Sequence, residues 1–166
     1  MTAVMAVGLA ACSSGAAPTT TSSSTSAPST TSTTLPSLAI SKNEIGHAYM
    51  TLFDLNNPAI APKLLVVQDG AALKAAFTAA IHSALAKQAG GAKVLAATVE
   101  SGADCKNQLL PSPCAAVTYD ILSPTGTVVL SNSKGAAVYE DSTWLVAKAT
   151  ICSLLTLEQG KTPAGC

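Results

Sequence analysis

The sequence contains no arginine and few charges of either sign. All nine basic residues are lysines, nine acidic residues balance them, and charged residues make up only 11% of the 166-residue chain. Arginine supplies the bidentate clamp that commonly holds phosphate or carboxylate groups, and a basic stripe is the usual signature of nucleic-acid binding. Because the arginine clamp is missing and the lysines form no stripe, the sequence predicts no nucleic-acid partner and argues against phosphoryl transfer.

The motifs of several common active sites are also missing. The sequence has no Gly-x-Ser-x-Gly nucleophile elbow, no phosphate-binding loop and no Cys-x-x-Cys pair with a nearby histidine. Aromatic residues reach only 4%, and much of the 48% hydrophobic content is alanine. The sequence therefore predicts no metal, no cofactor and a core built from small side chains.

The N-terminus has the pattern of an export leader. Ala3 to Ala11 is an apolar run that suits a signal peptide and is too short to span a bilayer. Leu9-Ala10-Ala11-Cys12 resembles the lipobox of bacterial lipoproteins. The resemblance implies that residues 1–11 are removed and that a lipid on Cys12 holds the protein on the outer face of the cytoplasmic membrane. The alternative is an apolar N-terminal stub with a chance cysteine.

A linker is predicted between the lipobox and the folded domain. From Ser13 to Ser37, 17 of 25 residues are Ser or Thr, and none is charged. Such a segment cannot bury enough apolar surface to fold, and as a flexible coil it has a reach of about 28 Å. Residues 12–37 are therefore expected to be the lipidated cysteine and a disordered linker, and residues 38–166 the domain.

Three helices are predicted at the start of the domain. Ser41 to Glu44 has the capping-box pattern that begins a helix, and Asn56-Asn57-Pro58 would end it. Its apolar face comprises Ile45, Ala48, Tyr49, Leu52 and Phe53. Residues 62–67 predict a short helix, with a strand as the alternative, and residues 71–87 predict a longer helix that ends before Gly90-Gly91.

An extended pattern follows these glycines. Four runs contain β-branched residues, at 93–100, 114–122, 127–140 and 143–155. Tight turns separate the last three runs, which favours antiparallel pairing. The predicted fold class is therefore α+β, with three N-terminal helices packed on a curved four-stranded antiparallel sheet.

This layout resembles the nuclear transport factor 2-like, cystatin-like cone. The segments Lys63–Gly70, Cys114–Leu122, Gly135–Val138 and Thr143–Ala147, the last followed by Cys152, also look like the low-molecular-weight antigen group of actinobacterial secreted proteins. The similarity covers about 42 to 155. It implies a cone fold and export, and it implies no particular reaction.

The four cysteines of the domain are expected to form two disulfides. They allow three pairings, and proximity in the chain favours Cys105 with Cys114 and Cys152 with Cys166. The first pair flanks a proline-containing loop between two predicted strands, and the second joins the last predicted strand to the C-terminal tail. This pairing would leave Cys12 as the odd thiol.

In a cone fold, a ligand enters between the helices and the sheet. The candidate residues for lining such a pocket are Tyr49, Phe53, Phe77, Tyr119 and Trp144, and the alternative is that these aromatic side chains form the core. The two histidines, His47 and His82, lie off or at the edge of the apolar helix faces, and no pair of carboxylates is apparent. The sequence therefore assigns no catalytic residue.

Together these patterns predict an exported, lipid-anchored cell-envelope protein whose domain has a non-catalytic binding or interaction role. Its expected partners are the membrane, through the lipid on Cys12, and a small apolar ligand or another envelope protein. Two alternatives stay open. One is a small isomerase or dehydratase-like enzyme of the same fold acting on an apolar substrate, and the other is a structural envelope antigen without a ligand.

Overall fold

The structure is a computed structural model that describes residues 36–100 and 102–166. The predicted leader, Cys12 and most of the linker lie outside the described residues. The helices are α1 (Leu38–Phe53), α2 (Ile60–Leu65), α3 (Lys74–Ala80), α4 (Ala84–Gln88), α5 (Ala103–Asn107) and α6 (Lys148–Gln159), with a 3-10 turn at Gly70–Leu73. The strands are β1 (Gly91–Glu100), β2 (Cys114–Leu122), β3 (Val128–Glu140) and β4 (Thr143–Val146). The described chain is therefore α+β.

The four strands form one antiparallel sheet in the order β1-β2-β3-β4. Strand β2 lies in the interior of the sheet and alternates as the sequence predicted, with Ala115, Val117, Tyr119 and Ile121 buried. In β1 the register shifts between Val94 and Ala96, so that Leu95 is an extra residue in this strand. Such a bulge bends a strand and increases its twist.

Helix α1 lies against the buried face of the sheet, and its apolar face is the predicted one. Ile45, Ala48, Tyr49, Leu52 and Phe53 are all buried, and the helix contacts both β1 and β4. Its start differs from the prediction. Ser37 is the N-cap and accepts a hydrogen bond from the Ile40 amide, whereas Ser41 is buried inside the helix and donates to the Pro36 carbonyl.

The third predicted helix is divided into the 3-10 turn, α3 and α4. The break falls at 81–83. Ser83 has an extended backbone, and its hydroxyl accepts a hydrogen bond from the Ala86 amide at 3.1 Å. Serine favours this N-cap arrangement over the interior of a helix. The expectation of three N-terminal helices is thus met only in part.

The last predicted strand is wrong in its second half. Strand β4 ends at Val146, and α6 begins at Lys148. The spacing of Ile151 and Leu155, both buried, is the i, i+4 spacing of a helix face. β-Branched residues in this segment favoured the strand prediction, although packing of α6 against β3 outweighs that weak local preference.

A second, smaller core lies on the opposite face of the sheet. Cys114 and Val138 alternate along their strands with Ala115 and Ala137, which belong to the main core. The loop that contains α5 covers this face, and its Cys105 and Leu110 are buried there.

Two disulfides are present in the described chain, and they have the pairing that proximity favoured. Cys105 is bonded to Cys114 and closes the α5 loop over the second core. Cys152 is bonded to Cys166 and ties the tail to helix α6, where a strand had been expected. Loops of this length stabilise a fold by about 3 kcal/mol in the chain-entropy description.

Candidate functional site

Three of the five aromatic residues predicted to line a pocket form one buried cluster between α1 and the sheet. The ring centroid of Tyr119 lies 4.7 Å from that of Tyr49 and 5.7 Å from that of Phe53. All three side chains are buried. Aromatic contacts at these distances stabilise a core beyond the area that they bury. These three rings therefore form part of the main core between α1 and the sheet.

The two tyrosine hydroxyl groups of this cluster differ in their hydrogen bonding. Tyr49 Oη donates to the Ala136 carbonyl at 3.1 Å, whereas Tyr119 Oη is buried without a partner among the described residues. Burial raises the pKa of Tyr119 to about 12. Burial and the neighbouring Tyr119 raise the pKa of Tyr49 even further. Both hydroxyl groups are therefore protonated at neutral pH and are poorly suited to act as a general base.

Because only one of the two hydroxyl groups is hydrogen-bonded, their removal is expected to change the free energy of unfolding in opposite directions. Tyr119→Phe is expected to increase the free energy of unfolding by about 1 kcal/mol, because it removes a buried polar group that has no partner. Tyr49→Phe is expected to decrease it by about 1 kcal/mol, because it removes the hydrogen bond to Ala136. Urea unfolding of both variants at neutral pH measures the two changes, and equal losses in the two would contradict the assignment.

The same pair predicts a dependence on alkaline pH. The folded-state pKa of Tyr119, about 12, lies above its ordinary value of 10.0. The unfolded chain therefore releases this proton first, and wild-type stability is lost as the pH rises from 10 towards 12. Tyr119→Phe is expected to lose less stability than the wild type over this range.

Phe53 and Phe77 border a narrow apolar crevice near the C-terminal end of α1. Its volume is about 70 Å³, and helices α3, α4 and α6 supply its other walls. Small-molecule sites generally occupy about 300–1,000 Å³, so the crevice is too small for a lipid or a steroid-sized substrate. Glu158 at its rim accepts a hydrogen bond from the Leu85 amide at 3.2 Å.

The described interior contains no histidine and no carboxylate pair. His47 is exposed on α1, and His82 is exposed between α3 and α4. Asp120 accepts a hydrogen bond from the Asn132 amide at 2.8 Å. Within 36–100 and 102–166, no three His, Cys, Asp or Glu side chains come together in a group that could hold a metal ion.

Sequence reasoning missed a buried lysine at the end of α1. Lys63 of α2 is 1% exposed, and its Nζ donates to the carbonyls of Thr51 and Asp54. These carbonyls belong to the C-terminal end of a helix, where a cation is favourable. Burial lowers the pKa of Lys63, and the negative charge of Asp54 acts in the opposite direction. The sequence signal was a single lysine inside an apolar segment.

Trp144, the fifth candidate, lies apart from the aromatic cluster. It is 1% exposed, and its ring packs against Tyr139 at a centroid distance of 5.3 Å. It also lines a surface cleft of about 370 Å³ between α1 and the β3–β4 hairpin. Among the described residues, the indole Nε1 has no hydrogen-bond partner.

None of the described helices is both long enough and apolar enough to span a membrane. The predicted anchor, Cys12, lies outside the described residues, so its lipidation stays a prediction.

The family comparison agrees with the resemblance to the low-molecular-weight antigen group. The family model for the low molecular weight antigen MTB12, C-terminal domain, matches residues 39–162, which is most of the chain. No curated protein and no solved structure is significantly similar to the chain. The family match begins at the second residue of α1 and ends within the C-terminal tail, so apart from Leu38 it includes every described helix and strand. The chain therefore belongs to the family of the low molecular weight antigen MTB12, C-terminal domain.

Proposed function

We propose that the chain is exported and displays at the cell envelope a domain with a non-catalytic binding or interaction role. The observation that carries this proposal is the filled interior. Tyr49, Phe53 and Tyr119 occupy the space where an enzyme with a cone fold would hold its substrate. Membership of an antigen family supports a non-enzymatic envelope protein.

The cone fold itself is part of the proposal. Helix α1 packs on one face of a four-stranded antiparallel meander, and a bulge in β1 gives that sheet a bend. These features support a nuclear transport factor 2-like architecture. In this domain α6 adds a C-terminal element to the predicted layout, and it supplies one wall of the apolar crevice.

Export and anchoring rest on the sequence before the domain. The four domain cysteines are paired in two disulfides, so Cys12 is the remaining cysteine of the five. In this proposal, residues 1–11 are a signal peptide, Cys12 carries the lipid, and residues 13–37 hold the domain away from the membrane. The two disulfides agree with an oxidising compartment outside the cytoplasm.

Substitution of the lipid acceptor tests the proposal. Cys12→Ala, expressed from the full chain in a bacterial host that processes lipoproteins, is expected to lose its partition into the detergent phase of a Triton X-114 extract. Wild-type protein is expected to enter that phase and to have a mass increased by the acyl chains. Ser14→Ala is the matched control and should behave as wild type. Equal mass and equal partition of Cys12→Ala and wild type would contradict the anchor.

A structural envelope antigen without a ligand is the second candidate, and the same filled interior favours it. The isomerase or dehydratase alternative requires an acid or base that faces the interior. In the described part of the chain, the hydroxyl groups between α1 and the sheet are those of Tyr49 and Tyr119, and burial raises the pKa of both. The interior chemistry therefore does not support the enzyme.

A further inference from the structure

We propose that the Cys152–Cys166 disulfide is a modification site, at which a low-molecular-weight thiol forms a mixed disulfide with Cys166. The two disulfides of the described chain differ in exposure. Cys105 and Cys114 are both 0% exposed, whereas Cys166 is an exposed residue and Cys152 is half-buried. Thiol–disulfide exchange depends on access to the sulfur that is attacked, and exposed disulfides are the labile ones. The difference in exposure therefore selects the Cys152–Cys166 bond for exchange.

The selected disulfide borders two clefts on the surface of the domain. One cleft, of about 450 Å³, lies between residues 109–111 and α6, and the other, of about 490 Å³, lies between α6 and the tail. Cys152 and Cys166 line both of them. A small thiol thus reaches this bond without any opening of the domain. Attack on the other disulfide requires the α5 loop to leave the second core.

The surroundings of the bond give the exchange a direction. A thiolate attacks Cys166 Sγ, the bond to Cys152 Sγ breaks, and Cys152 leaves as a thiolate while the incoming sulfur stays on Cys166. Lys148 precedes Cys152 by one turn of α6, and both line the cleft of 450 Å³. Because helical side chains lean towards the N-terminus, Cys152 leans towards Lys148. The ammonium group of Lys148 therefore stabilises the departing thiolate.

The charges around the leaving group agree with this direction. Asp69 contacts Lys148, with a distance of 3.7 Å between Oδ2 and Nζ, and no Asp or Glu side chain lines either cleft. The Cys152 thiolate then takes a proton from solvent. A second thiol molecule can attack the incoming sulfur, which releases a low-molecular-weight disulfide and leaves two protein thiols. In that case two electrons pass from the two thiol molecules to the protein.

Exchange is expected to release the tail that follows α6. In the described chain, the backbone hydrogen bonds of residues 160–166 are made only to Thr156 and within the tail itself. The tail approaches the 3-10 turn at Gly165, where a Cβ would not fit beside the Ala72 carbonyl. Few contacts besides the disulfide therefore hold the tail in place. Once it has moved away, Cys152 is no longer beside the mixed disulfide and cannot easily reverse the exchange.

Partial exchange followed by alkylation tests the proposal. Thiols already present in the full chain, Cys12 included, are first blocked with N-ethylmaleimide. The uncharged thiol 2-mercaptoethanol is then added at neutral pH, the reaction is stopped with iodoacetamide at increasing times, and the labelled peptides are identified by mass spectrometry. We expect the mixed disulfide on Cys166 and the carbamidomethyl group on Cys152. These labels should appear at least about tenfold faster than any label on Cys105 or Cys114.

Two lysine variants test the direction of the exchange. Lys148→Gln removes the ammonium group near Cys152 and is expected to slow the exchange about threefold, the modest effect of a partly exposed charge. Lys42→Gln is the matched control, because this exposed lysine of α1 lines neither cleft, and it should react as wild type. Equal rates in the two variants would overturn the role of Lys148 in the exchange.

NMR of the exchanged protein follows the tail. The amide peaks of 161–166 are expected to take the narrow lines of a mobile segment, while those of β2 keep their positions. The proposal is overturned if Cys105 and Cys114 are labelled as fast as Cys152 and Cys166, or if the mixed disulfide forms on Cys152 instead. It is also overturned if the tail peaks do not change, or if the β2 peaks disappear with the exchange.

Discussion

Gly135→Ala is expected to lower the free energy of unfolding by about 3 kcal/mol, near the upper end of the cost of overpacking a core. A methyl group at this position would lie 2.6 Å from Tyr49 Oη, 2.7 Å from Thr150 Cγ2 and 3.1 Å from Tyr119 Cε1. Neither of the two nearest side chains is free to move. Tyr49 is hydrogen-bonded to the Ala136 carbonyl, and Thr150 Oγ1 accepts from the Ala136 amide at 2.8 Å.

A glycine in α1 provides the control for this prediction. Apart from its chain neighbours and the backbone of its own helix, Gly46 has no atom within 4 Å of the position that a Cβ would take. Gly46→Ala is therefore expected to stabilise the domain by about 0.5–1 kcal/mol through the helix preference of alanine. Urea unfolding followed by circular dichroism measures both variants. In the Tyr49→Phe background, Gly135→Ala should cost less than in wild type, because one of the clashing atoms is gone. A full, undiminished cost in that background would contradict the packing argument.

Lys63→Met is expected to lower the free energy of unfolding by about 2 kcal/mol. The substitution keeps much of the apolar stem but leaves the carbonyls of Thr51 and Asp54 without the ammonium group that they share. Buried acceptors that lose a charged partner usually cost about 1.5–3 kcal/mol. Lys74→Met, at an exposed lysine of α3, should change stability by less than about 0.5 kcal/mol. Equal effects of the two substitutions would show that the contacts of Lys63 Nζ with the two carbonyls do not stabilise the fold.

The effect of Lys63→Met is expected to grow as the pH rises. Burial lowers the pKa of Lys63 below 10.5 in the folded state. Between the lowered pKa and 10.5, the unfolded chain binds more protons than the folded chain, so wild-type stability gains with pH. The methionine variant lacks this gain. The free energies of unfolding of wild type and Lys63→Met are compared at increasing pH below pH 10, where Tyr119 does not yet reduce stability. A difference between the two proteins that did not change with pH would contradict the prediction.

Much of the fold was predictable where the local sequence and the packing agree. The face of α1 and the alternation of β2 both followed from spacing, because one side of each element is buried. The two disulfides followed from proximity along the chain. Helix α6 was missed, since Thr150 and Ile151 prefer strands and the local sequence does not show that this segment packs against β3.

The candidate site was only partly accessible from sequence. The five aromatic candidates were chosen by type, and the structure separates them into a buried cluster, an apolar crevice and the wall of a polar cleft. The cleft brings α1 together with a hairpin that begins about a hundred residues later. No local sequence pattern predicts that α1 and this hairpin lie close together. Nor does a local pattern indicate that the Trp144 indole lacks a hydrogen-bond partner.

The bulge in β1 has a consequence for self-association. β1 pairs only with β2 among the described strands, so its other edge offers a row of backbone donors and acceptors ten residues long. A straight incoming strand could follow that edge only as far as Leu95, where the extra residue interrupts the repeat. The bulge divides the edge into two short segments, and the exposed Lys93 adds a charge to the segment before Leu95. Two copies that met at this edge would thus resist joining into a continuous sheet.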